Sequence, residues 1–144
     1  MPEPTGPVIL EITGKVTAKN FDQGIRLDYD MLAQLGLVDV NVNTPWTKAG
    51  TRFSGILTRS LMDYIGASGH EILASAIDGY SIVIPLADLA DYDTILALQM
   101  DGKRMRVRNK GPAWVIYDPD DRPEIPETLI NSRMIWQLQS LEVR

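Results

Sequence analysis

Trp46 stands in the polar loop Asn43-Thr44-Pro45-Trp46-Thr47, where a large indole stays exposed unless a ligand, a partner or the loop's own packing covers it. That makes it the first candidate for recognition chemistry. Asp78-Gly79-Tyr80-Ser81 adds a carboxylate and a phenol two residues apart across a turn signal, ahead of the apolar run Ile82-Val83-Ile84. Catalytic constellations are scarce by comparison. The single histidine, His70, sits with Ser68 and Glu71 in loop-like surroundings, whereas a triad draws its members from distant positions. One histidine cannot supply an HExxH zinc pair, and neither a Gly-Lys-Ser/Thr phosphate loop nor a GxGxxG turn occurs. Asp118-Pro119-Asp120-Asp121 lacks the glycine and terminal glutamate of an EF-hand. It reads as an acidic surface loop, with Asp118 and Arg122 available as a docking edge. The chain has no cysteine, so it offers no thiolate as nucleophile or soft metal ligand.

Short elements must position these side chains. Val8, Leu10 and Ile12 alternate with Ile9, Glu11 and Thr13, which predicts a strand over 8–16 with one buried face. Residues 20–24 read as a turn. Asp28 is placed to cap a helix over 29–35 that Gly36 ends, and 37–42 returns to alternation. The 44–51 loop follows. Leu57, Leu61, Met62 and Ile65 recur at helical spacing before Gly66. Residues 72–77 and 80–84 read as a hairpin about Asp78-Gly79, with a short helix at Leu86-Ala87-Asp88-Leu89. Asp101-Gly102 joins a strand over 95–100 to one over 104–108. An apolar strand over 112–117, a short helix over 126–131 and a last strand over 135–143 complete the chain. Many short strands with short helices imply a mixed α+β domain, not a repeated βαβ one.

The order of these pieces, from the 8–16 strand through the 57–65 segment, the Asp78 motif and Met100-Asp101-Gly102-Lys103 to Ser132-Arg133-Met134-Ile135-Trp136, resembles the molybdopterin-binding oxidoreductase domain of the sulfite oxidase family. The resemblance runs from about residue 10 to 143 and implies that strand-rich fold. In that family a cysteine ahead of an aromatic-x-Gly-[Val/Ile] turn gives molybdenum its thiolate. Here the matching turn is Phe53-Ser54-Gly55-Ile56, and neither Thr44 nor Thr47 replaces a thiolate, because a hydroxyl is a neutral, hard donor. The stretch ending in Trp136 keeps the family outline but lacks its lysine, which leaves phosphate binding unsupported.

This sequence is similar in size, and in lacking the cysteine, to a subset of the fold that binds a free pterin and reports to a membrane-bound cyclic-di-GMP enzyme. The resemblance therefore implies a non-catalytic ligand sensor that holds a pterin without molybdenum. A flat, polar heterocycle calls for an aromatic or guanidinium plane and converging hydrogen bonds at its edge. Trp46, Tyr80 and Trp136 are the candidates for the face, Arg52 and Arg133 for stacking or edge donation, and Asp78 for accepting the ring's N–H protons; Ser132 belongs to the same set. The expected mechanism is a ring sandwiched by Trp46 and Trp136 while the 44–51 loop closes over it. Each residue has a plainer reading. Trp114 and Trp136 suit core packing, Tyr80 a hydrogen-bonded core tyrosine, and Arg133 a helix-end cation. Two other functions stay open: an oxidoreductase whose metal is held by the dithiolene alone, and a ligand-free interaction scaffold.

With 144 residues, 44% of them hydrophobic, the chain has the size of one self-sufficient domain over 8–144 behind a mobile Pro/Gly-rich lead-in at 1–7. The formal charge of −5, with arginines read as dispersed among acids, argues against nucleic acid and anionic membranes as partners. No apolar run approaches the roughly 20 residues that span a bilayer. The opening Met1-Pro2-Glu3-Pro4-Thr5-Gly6-Pro7 looks like an initiator on a mature N-terminus, and with the resemblance it implies a periplasmic protein whose leader has been removed.

Overall fold

Alternating burial builds the first of two sheets. The computed structural model describes residues 2–144. In it β1 (Val8–Gly14) turns Leu10 and Ile12 into the core and leaves Ile9, Glu11 and Thr13 half-buried. It pairs antiparallel with β2 (Gly24–Asp28), whose Ile25 and Leu27 are fully buried. Sequence reasoning took 20–24 as a turn and missed this strand. The turn is present, but Gly24 also opens the strand because it has no Cβ: a methyl there would lie 2.0 Å from the Ile12 carbonyl oxygen. Asp28 caps α1 (Tyr29–Ala33) as expected, its Oδ1 accepting from the Met31 N–H at 2.9 Å. Its Oδ2 accepts from Thr5 and Gly6 at 3.1 and 3.0 Å. These bonds hold Thr5 and Gly6, within the 1–7 stretch expected to be a mobile lead-in, to the body of the domain; Met1 lies outside the described residues.

The second sheet begins with β3 (Leu37–Asn41) and β4 (Arg52–Leu57), which flank the 44–51 loop. α2 (Thr58–Ile65) buries Leu61, Met62 and Ile65 and stops at Gly66, whose φ of 65° is the left-handed conformation glycine adopts without a Cβ clash. β5 (Glu71–Ala76) and β6 (Ser81–Pro85) form the expected hairpin about Asp78-Gly79 and lead into α3 (Leu86–Ala90). β7 (Ile95–Met100) turns at Asp101 and Gly102, with φ of 51° and 83°, into β8 (Lys103–Arg104). The strand expected over 104–108 ends there. Met105 is drawn into the core, Asn109 Oδ1 takes the Arg106 N–H that a ladder would have used, and Val107–Asn109 forms a 3₁₀ turn.

β9 (Trp114–Ile116), α4 (Glu127–Arg133) and β10 (Leu138–Val143) complete the chain. One sheet runs β2-β1-β10-β5-β6, with β1 and β10 parallel; the other runs β3-β4-β7-β8, with β9 also on β7. β9 links the two. Its far side bonds to the segment entering β10, Val115 N–H donating to the Ile135 carbonyl and Leu138 N–H to that of Ala113, both at 3.0 Å. Trp114, Phe53 and Tyr117, all fully buried, fill the core at this junction. The β4–β7 pair is close-packed at Gly55, where a Cβ would meet the Leu96 carbonyl oxygen at 2.1 Å. The result is the strand-rich, mixed α+β architecture that the sequence implied.

Candidate functional site

Beside this junction lies a cavity of about 390 Å³ whose walls include Trp46, Asp78, Tyr80, Asn131, Ser132 and Trp136. Three separate elements supply them: the 44–51 loop, the β5–β6 turn, and α4 with the chain that leaves it. The volume is in the range of small-molecule sites, as is the pattern of apolar walls with few polar groups. Asp78 is the one charged residue in the lining.

The loop holds its indole by local hydrogen bonds. Thr44 Oγ1 accepts from the Trp46 N–H at 3.2 Å and shares a 2.7 Å bond with Thr47 Oγ1; Thr51 Oγ1 donates to the Lys48 carbonyl at 2.7 Å. Trp46 remains 36% exposed while its ring packs 5.1 Å from Trp136, at 75°, and 6.0 Å from Trp114. This geometry corrects the expected sandwich. A ring held between two others needs about twice the ~3.5 Å contact distance of carbon atoms, and Trp46 and Trp136 already touch edge to face. A flat ligand has room against these indoles only on the cavity side, or after Trp46 swings away.

Trp136 owes its direction to a backbone bend. Gln137 takes φ of 51° and Lys110 φ of 76°, both in the left-handed region that side chains disfavour. The two are joined by a 3.0 Å bond from Gln137 N–H to the Lys110 carbonyl, while Gln137 Nε2 donates to the Val107 carbonyl and its own carbonyl accepts from Ile77. The bend delays the last strand to Leu138, three residues after its expected start. It turns Trp136 into the cavity wall, half-buried, with the Lys110 ammonium 4.3 Å from its ring centre.

Tyr80 is no core tyrosine. It is 48% exposed, and its hydroxyl donates to the Ser132 carbonyl at 3.2 Å, linking the hairpin turn to α4. Asp78 Oδ1 accepts from the Tyr80 N–H at 3.1 Å, an Asx turn that holds the carboxylate in place. Its Oδ2 accepts no bond from the described residues. Ser132 Oγ donates to the Leu129 carbonyl within α4.

The two arginines lie elsewhere. Arg52 opens β4 away from the cavity and donates its backbone N–H to Asp101. Arg133 turns its guanidinium inward, Nη1 bonding Asp88 Oδ2 at 2.9 Å. A buried carboxylate demands partners, and Asp88, with its side chain 5% exposed, also takes Arg122 Nη2 at 3.2 Å and the Tyr117 hydroxyl at 2.8 Å. Arg122 is therefore no docking edge: it is buried, bonds Glu124 at 2.7 Å and stacks 3.4 Å over Tyr92. Burial and the neighbouring Asp88 push the Tyr117 phenol well above its ordinary range. For Arg122, burial opposes the charge, but the bonds to Glu124 and Asp88 outweigh it and hold the guanidinium above its usual value. Sequence reasoning missed this cluster. Asp88 gave one signal, a lone acid between apolar residues on a short helix, but its partners come from 29 to 45 positions away.

No family model matches this chain, and no curated protein matches it in sequence. In structure it resembles the sulfane dehydrogenase SoxCD from Paracoccus pantotrophus, with a TM-score of 0.64 at 15% identity over 93% of this chain. The match covers 37% of the SoxCD chain, so this sequence corresponds to little more than a third of that protein. At that identity the likeness is one of fold, and the fold is the sulfite-oxidase type.

Proposed function

We propose that the cavity binds a free pterin without covalent attachment, and that the chain is a ligand-responsive binding protein rather than an enzyme. The observation that carries this reading is the lining itself: three aromatic side chains with one carboxylate, Asp78, set among them. Such walls suit a flat heterocycle whose edge carries several N–H donors. The donor set does not fit molybdenum. The chain has no thiolate to give, and neither Arg52 nor Arg133 lines the cavity; the Arg133 guanidinium is bonded to Asp88, and the cation beside the wall is Lys110, over Trp136. Because Trp46 abuts Trp136, a ligand stacking between them must move Trp46 and with it the 44–51 loop. It shifts that loop only by its differential affinity for the moved state. A periplasmic location and a membrane-bound signalling partner, such as a cyclic-di-GMP enzyme, complete the reading. They rest on the resemblance in sequence order.

Calorimetric titration with neopterin and with its monophosphate tests the site. Neopterin should bind, and the monophosphate more weakly. Asp78→Asn should cost more than tenfold in affinity, since hydrogen bonds to a charged group contribute about 1.5–3 kcal/mol; Trp46→Ala should cost a comparable factor. Wild-type protein that binds neither compound, or variants that bind as well as wild type, would refute the assignment. Mass spectrometry and molybdenum analysis of material released from purified protein decide the rival reading, because metal accompanied by a phosphorylated pterin would restore an oxidoreductase.

A further inference from the structure

The segment Lys103-Arg104-Met105-Arg106-Val107-Arg108-Asn109-Lys110 holds five of the chain's 14 cationic residues, and no acid occurs between Asp101 and Asp118. The expectation of arginines dispersed among acids fails here. With these five charges set aside, a chain of net charge −5 carries −10 elsewhere. Every ion pair among the described residues belongs to Arg26, Arg59, Arg122, Arg133 or Arg144, so none of the five has a carboxylate within 4.0 Å. Arg104 rests over the Tyr29 ring and Lys110 over that of Trp136, while Lys103, Arg106 and Arg108 stand exposed. Positive potential is thus concentrated on one strip of an acidic molecule.

An apolar groove of about 370 Å³ runs beside the strip. Its rim carries Val107, Val8 and Ile77, which are 54%, 47% and 44% exposed; Met105 and Leu138 close it from below, and Arg106 borders it. The strip and the groove are one surface, because Arg106 and Val107 belong to both. Exposed aliphatic side chains gathered round a concavity mark a contact site, and the cations specify its complement.

We propose that this surface docks an acidic segment of a protein partner, with an apolar side chain of that segment seated in the groove. Nucleic acid would satisfy the cations but has no branched aliphatic side chain to fill the slot, and the −10 carried elsewhere repels any extended polyanion. An anionic bilayer meets the same repulsion. An amphipathic acidic segment answers both halves of the surface, with charge pairs at the rim and burial at the centre. The proposal does not rest on which ligand the aromatic cavity takes, and the two sites adjoin at Lys110, which lies over Trp136 in the cavity wall.

The test titrates isotope-labelled protein, followed by amide chemical shifts, with a short peptide rich in Glu and Asp that carries one leucine and one phenylalanine. Parallel titrations use the same peptide with serine at both apolar positions, a single-stranded DNA oligonucleotide, and vesicles of phosphatidylcholine with phosphatidylglycerol. The acidic apolar peptide should shift residues 103–110 together with Val8, Ile77 and Leu138. Affinity should fall about tenfold or more for the serine peptide, for Arg106→Glu with Arg108→Glu, and on raising salt from about 50 to about 300 mM. Val107→Asp, a single change at an exposed position, gives a second probe of the groove should the charge reversals disturb folding. Absence of shifts at millimolar peptide, shifts confined to other surfaces, or tighter binding of the DNA or the vesicles would each overturn the proposal.

Discussion

Replacing Asp88 with alanine removes the acceptor on which three buried donors converge: Arg122 Nη2 at 3.2 Å, Arg133 Nη1 at 2.9 Å and the Tyr117 hydroxyl at 2.8 Å. Arg122 and Arg133 have side chains only 7% and 15% exposed, so water cannot fully take over. The cluster has little slack, since Arg122 Nη1 and Arg133 Nε already lack a partner in it. Breaking a buried pair by removing one member costs about 3–5 kcal/mol, because the remaining charge is left uncompensated. Two guanidiniums depend on this carboxylate, which places the expected loss in the upper half of that range. Urea denaturation followed by far-ultraviolet circular dichroism measures it as a fall in midpoint at unchanged slope. Asp88→Asn keeps one acceptor oxygen and the volume, and should lose less. The triple change Asp88→Leu, Arg122→Met and Arg133→Met removes the charges together and should recover much of the loss, since apolar replacement of a whole buried ion cluster is often neutral. A loss below about 1 kcal/mol for Asp88→Ala, the range of solvent-exposed pairs, would show that solvent reaches the cluster and refute the reasoning.

Asp28→Ala should cost about 1 kcal/mol through the lost helix cap, with Asp28→Asn intermediate because its amide would face the Thr5 and Gly6 donors. The backbone bond from Met31, helped by those from Gly6 and Thr5, holds the Asp28 carboxyl below its ordinary 3.8. A depressed folded value means the stabilisation is complete above that ordinary value and is lost as pH falls below it, so wild type and Asp28→Ala should converge in acid denaturation. Gly55→Ala should destabilise by about 2–3 kcal/mol or more, because its methyl meets the Leu96 carbonyl oxygen at 2.1 Å and the Ala97 Cα at 2.7 Å, both backbone atoms; the urea midpoint checks it.

The parts of the fold legible in the sequence were those fixed by near neighbours. Asp28 as a cap, Gly66 as a stop, and Asp78-Gly79 and Asp101-Gly102 as turns each depend on bonds within a few residues, and period-two alternation marked β1 and β3. β2 escaped because it is only five residues long between a turn and a helix, and four of its positions, on both faces, are buried, which leaves no alternation to read. The site was half legible. Trp46, Asp78, Tyr80, Ser132 and Trp136 do share a cavity, but that depended on order along the chain, not on any local signal. Arg133 could not be placed from sequence, since a cation at a helix end looks alike whether it faces water or an acid 45 positions away. The basic strip was visible as composition and was overlooked by averaging charge over the chain.

The three tryptophans of this chain all fall within one group, with ring centres 5.1 to 6.1 Å apart. Indoles that close transfer excitation among themselves, so the protein's tryptophan emission arises from a single spot beside the aromatic cavity, whichever indole absorbs. The molecule thus carries an intrinsic optical reporter of that wall and needs no attached dye. Trp114 stays in the core while Trp46 meets solvent, so a displacement of the loop would dim or recolour nearly the whole signal, not a third of it.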